Sequence, residues 1–133
     1  PNDTPHRAVD RAIAAATVVG GIGDISPPIA EVAAADGYEI NTDFGGHGVG
    51  RTMHGDPHVP NDGKPGRGYP LRAGLVVALE PWFLQTTDEL VTDPDGWTLR
   101  SVDGSRGAHV EHTVAITDEG PLILTDRSFL GVD

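Results

Sequence analysis

The sequence contains no cysteine, which excludes disulfide staples and thiolate metal sites together. That absence fits a reducing compartment, and the chain is expected in the cytoplasm. Basic residues are scarce as well: nine Lys plus Arg stand against 20 Asp plus Glu, a formal charge of −11. Such a surface repels phosphate backbones and anionic bilayers, because both are gripped through Lys/Arg neutralisation. Neither nucleic acid nor a membrane is therefore an expected partner. Long apolar runs are missing too. No stretch approaches the ~20 residues of a transmembrane helix, and no charged start leads into a signal-type segment. Finally, no Met opens the chain, which begins at Pro1. That suggests a fragment or processed product, although Met removal before a Pro looks the same.

What is present fits one domain of 133 residues with many turns, given 18 Gly and 11 Pro. Val9, Ile13, Ala16 and Val19 recur every three or four residues, predicting a helix over residues 6–19 that the glycines at 20, 21 and 23 end. Ser26 before Pro27 resembles an N-cap, so a second helix is expected from there to about Asp36, with Gly37 as its C′ residue. Residues 38–44 read as a short strand and 55–74 as mostly loop. Strands are expected at 75–80, 97–102, 109–117 and 122–125, with a turn at Asp93-Pro94-Asp95-Gly96. Two helices followed by strands joined through tight turns predict an α+β fold, the helices packed on an antiparallel sheet.

Four polar residues lie in or beside apolar segments: His47, His54, Glu80 and Glu111. A carboxylate at a buried strand position costs several kcal/mol unless it is paired, protonated or metal-bound. Imidazole and carboxylates together suit Mn, Fe(II), Co or Zn and suit Cu(I) poorly. Each residue alone also has a plain explanation. His47 can be a loop or capping histidine, His54 a hydrogen-bonded one, and Glu80 a strand-end carboxylate reaching water. Alternation puts Glu111 on one face with Thr113 and Ala115, which can simply be the wet face. Composition and periodicity alone leave an α+β domain with a candidate metal site.

The order of the motifs is more specific. Gly46-His47-Gly48-Val49-Gly50-Arg51, His54 with Pro57, Leu79-Glu80-Pro81, Asp95-Gly96-Trp97 and Glu111-His112-Thr113-Val114 resemble the type I methionine aminopeptidases. The likeness covers roughly residues 10–125. Prolidase-like relatives read Glu-Pro-Gly at Glu80-Pro81-Trp82 and Arg-x-Glu-Asp at His109-Val110-Glu111-His112, so an Xaa-Pro peptidase is the weaker match. The resemblance implies residues 1–133 are the C-terminal half of a catalytic domain with the pita-bread fold. It implies that His47, Glu80 and Glu111 are three of five ligands to two divalent ions (Co, Mn, Fe or Zn), with Glu111 bridging. Such a pair, ~3.5–4 Å apart, activates water and polarises the scissile carbonyl. Glu80 would also carry the proton to the leaving amine, and His54 would contact the peptide and stabilise the tetrahedral intermediate. Trp97 would wall the methionine pocket, unless it is a plain core tryptophan. Met53 would stand beside the pocket where the family commonly has an aromatic residue.

The family's other two ligands are aspartates upstream of the first helix and are not in this chain. At most one ion is then expected here, and the chain alone is expected to be inactive. Three readings follow. The chain is part of a complete enzyme acting on N-terminal methionyl peptides or nascent chains; or it is an inactive binding or oligomerisation module; or it is a mononuclear hydrolase. Its expected partners are the missing N-terminal half or a second copy. Without a partner, its site face should drive association or need metal.

Overall fold

Ala8, Val9, Ala12 and Ile13 form the buried stripe of helix α1 (Thr4–Ala14) in the computed structural model, which describes residues 3–126 and 128. The helix ends five residues earlier than the apolar spacing predicts. Thr17, Val18 and Val19 are a β-branched run, stiff at χ1 and poor at extending a helix. They form a turn closed by Gly20 N–H on Thr17 O at 3.0 Å, and Val19 is 93% exposed.

Helix α2 (Ile22–Asp36) starts a full turn before Ser26, so Pro27 and Pro28 lie inside it. Tertiary contacts override the local start signal. Ile22, Ile25 and Ile29 are all buried, and loss of their burial would cost about 1.5–3 kcal/mol each. The loop after residue 60 supplies carbonyls to the helix end: Ile22 N–H donates to Tyr69 O and Gly23 N–H to Arg67 O, both at 2.8 Å. Asp24 accepts from Gly21 N–H at 2.8 Å, which completes the start. Ser26 Oγ instead donates to Pro60 O at 2.5 Å. Gly37, at φ 75°, closes the helix as expected.

The strands are β1 (Glu39–Ile40), β2 (Gly46–Gly48), β3 (Gly55–Val59), β4 (Val76–Leu79), β5 (Trp82–Leu84), β6 (Leu90–Thr92), β7 (Leu99–Ser101), β8 (Gly107–His109), β9 (His112–Thr117) and β10 (Gly120–Ile123). Among the described residues they form an antiparallel sheet in the order β10-β9-β4-β2-β3, a second in the order β1-β5-β8, and the hairpin β6-β7. Both helices lie against one face of the five-stranded sheet. Val77, Leu79, Val114 and Ile116 point into that core with Val59, Leu71 and Phe83. The expected α+β arrangement, two helices on antiparallel sheet, is what the chain adopts.

Three strand expectations need correction. Residues 55–59 form a strand although they contain Pro57, because β3 is an edge and an edge tolerates a missing N–H. The expected strand 38–44 shrinks to β1, since Asn41 Oδ1 takes Phe44 N–H at 2.8 Å and turns the chain. The expected single strand 109–117 is two, β8 and β9, which leave one sheet and enter another across Val110 and Glu111. No described helix is long and apolar enough to cross a membrane.

Candidate metal centre

Cross-strand register assembles the site. On the sheet face away from the helices, His47 of β2 sits opposite Ala78 of β4, and Ala78 opposite Thr113 of β9. Pairing of β4 with β9 runs through Leu79↔His112, and pairing of β5 with β8 resumes at Trp82↔His109. The same register continued across the gap sets Glu80 against Glu111. Since alternate residues share a face, Ala78/Thr113, Glu80/Glu111 and Trp82/His109 make successive pairs along one surface. His47 joins them diagonally to Glu80. Two glycines let it approach: a Cβ on Gly46 would stand 2.0 Å from Ala78 O, and one on Gly48 1.9 Å from Asp56 O. The Gly-His-Gly triplet is thus a packing requirement of the three strands that meet here.

His47 Nε2 lies 3.3 Å from Glu80 Oε1, with both side chains largely buried. Its Nδ1 is 3.1 Å from Gly48 O. A carbonyl can only accept, so Nδ1 carries a proton and Nε2 faces the carboxylate, as a donor when the ring is protonated and as a lone pair when it is neutral. Two lone pairs at that spacing need a cation or a proton between them. A histidine anchored by its second nitrogen on a backbone carbonyl is also the usual support for a metal ligand. Glu111, which is exposed, completes the group: His47, Glu80 and Glu111 each offer a ligand atom, all within 4.8 Å of one another. One imidazole and two carboxylates fit a divalent Mn, Fe, Co or Zn ion.

Burial, and then the neighbouring Glu111 charge, push the Glu80 carboxyl above its ordinary range. The Trp82 indole N–H on Glu80 Oε2 at 3.4 Å, and the His47 and His109 rings, oppose that rise. A carboxyl held up in this way keeps its proton more readily than a free one does.

The other predicted residues are placed unevenly. The exposed His54 packs its ring on His47, centroids 4.3 Å apart. Trp97 is 87% exposed in the turn before β7, so it is not a core tryptophan, and Met53 is 73% exposed. Five residues without a predicted role stand beside the candidate ligands. Trp82 and His109 stack in parallel at 4.1 Å, with Phe44 tilted on Trp82 at 5.9 Å. Asn41 and Asn61 are buried beneath the Glu80 turn. Pairing residues 76–84 with 107–115 predicts the Trp82/His109 pair; the asparagines carry no such signal.

Comparison with known proteins gives this geometry a context. Residues 3–118 match the model of metallopeptidase family M24. A methionine aminopeptidase of Aquifex aeolicus is 50% identical over 107 residues, covering 79% of this chain and 42% of that protein. Methionine aminopeptidase 1 of Mycobacterium tuberculosis is 43% identical over 130 residues, covering 93% of this chain and 49% of that protein. The chain thus spans about half the length of the curated relatives it matches. The crystal structure of a methionine aminopeptidase from Thermotoga maritima superimposes with a TM-score of 0.88 at 41% identity, over 92% of this chain and 49% of that one. A prolidase from Pyrococcus horikoshii shares the fold at TM-score 0.68 and 23% identity, over 93% of this chain and 30% of that one. With the pita-bread architecture and the His/Glu/Glu group in place, the chain belongs to metallopeptidase family M24.

Proposed function

We propose that this chain is the C-terminal half of a methionine aminopeptidase catalytic domain, which hydrolyses the first peptide bond of N-terminal methionyl peptides or nascent chains in the cytoplasm. The convergence of His47, Glu80 and Glu111 carries the reading, supported by relatives named methionine aminopeptidases at 43–50% identity. In this reading His47, Glu80 and Glu111 would hold divalent metal, with further ligands coming from outside this chain. Bound metal supplies Lewis-acid polarisation of the carbonyl and an activated water. Glu80 moves the proton to the leaving amine, as a carboxylate within reach of the site can. His54, already against His47, donates to the peptide as charge develops. Trp97 and Met53, both exposed here, are assigned to the methionine pocket on the strength of the family resemblance.

Release of free methionine from a Met-Ala-type peptide tests this, with the protein supplied with Mn²⁺, Fe²⁺, Co²⁺ or Zn²⁺. Activity is expected to need the complementary half, and Glu80→Gln should then lower kcat about 10²–10⁴-fold. No release with any ion and the complementary half present would sink it in favour of a binding module.

A further inference from the structure

Asn61 follows the edge strand β3 and is 1% exposed. Its Nδ2 lies 3.0 Å from Phe44 O, 3.3 Å from Asn41 O and 3.5 Å from Glu80 O. Two N–H groups therefore serve three carbonyls, one of them shared. Two of those carbonyls belong to the turn that leads into His47, and the third belongs to Glu80 itself. Glu80 and Pro81 lie between β4 and β5, and Pro81 has no N–H to give. Asn41, fully buried, adds a second brace to the same two segments. Its Oδ1 accepts from Phe44 N–H at 2.8 Å, its backbone N–H donates to Trp82 O at 3.1 Å, and its Nδ2 donates to Asp88 O at 2.8 Å.

We propose that Asn61 is a positioning residue for the metal site, its one amide fixing the backbones that carry His47 and Glu80 so that their side chains converge. This rests on the metal reading of that pair. Asn61 touches neither ligand side chain. It acts on the turn three residues before His47 and on the carbonyl of Glu80, and so governs the separation of the two ligand-bearing strands at their open ends. Supports of this kind typically change metal affinity 10–100-fold when removed.

The test is titration of the protein with Co²⁺, read from its d–d absorption, alongside thermal denaturation. Asn61→Ala should weaken Co²⁺ binding about tenfold or more. Asn61→Asp keeps the volume, removes both donors and serves as the second variant should the first fold poorly. Ser26→Ala is the control: it removes the neighbouring hydrogen bond to Pro60 O, touches neither ligand segment, and should lower Tm while leaving affinity unchanged. Once Glu80 is replaced in Glu80→Gln, adding Asn61→Ala should weaken binding much less than it does in the unaltered protein. Unchanged affinity in both Asn61 variants, or an equal loss in Ser26→Ala, would overturn this role while leaving the metal site intact. Absence of Co²⁺ binding to the unaltered protein would overturn the metal reading and the role of Asn61 with it.

Discussion

Glu80 is held in a conflict that only a cation or a proton resolves. Its Oε1 faces Nε2 of His47 and its charge faces Glu111, yet little of its side chain meets water. Burial and Glu111 raise its pKa from the ordinary 4.5, so without metal the native state holds this proton to higher pH than the unfolded chain does. Native stability from this group is thus fully present below pH 4.5 and is lost as pH rises through the raised value. Glu80→Gln cannot ionise and should flatten that part of the curve. Urea denaturation in EDTA at steps from pH 4 to 7 checks this; parallel curves for the two proteins would contradict it. With divalent metal the dependence should reverse, because only the deprotonated carboxylate is a ligand.

At the scale of elements, the site depends on how closely β2 can lie against β4. Gly46 permits this, since any side chain there meets Ala78 O. Gly46→Ala should force the strands apart at a cost of about 1–3 kcal/mol and carry His47 away from Glu80. Its denaturation midpoint should fall and its metal affinity with it; an affinity equal to the unaltered protein's would show that β2 need not be close-packed. These elements differ in how far the sequence reveals them. The apolar run of β4 and the apolar spacing within α1 are legible because burial and periodicity coincide. The start of α2 is not, because its first N–H groups bond to a loop more than 40 residues away, and that loop outweighs the Ser26-Pro27 signal. Strand β3 is hidden by Pro57, whose tolerance depends on an edge position that only the assembled sheet defines. The candidate ligands stand out through motif order, and their convergence follows from a register that skips the gap between β4 and β5. Asn41 and Asn61 do not, since a buried amide serving backbone carbonyls leaves no pattern in the chain.

For the whole molecule, the site is a face rather than a cleft. Helices cover one side of the five-stranded sheet, while the other carries His47, Glu80 and the exposed Glu111. A formal charge of −11 adds general repulsion to the local crowding of carboxylates. A bound divalent cation relieves both, and since it binds the native state alone it stabilises by mass action. At a metal concentration about 100 times Kd the gain is about 2.7 kcal/mol. Unfolding entropy of about 2.1 cal/mol/K per residue over 133 residues converts this to a rise in Tm of roughly 10 °C. Mn²⁺ or Co²⁺ should produce that rise, EDTA should reverse it, and Mg²⁺, which prefers water and all-oxygen sites, should give much less. Glu111→Gln should abolish most of the shift while leaving the metal-free Tm nearly unchanged, because Glu111 is exposed and repels Glu80 in the absence of metal. A full shift in Glu111→Gln would mean that His47 and Glu80 bind the ion without it, and that the exposed carboxylate belongs to another surface.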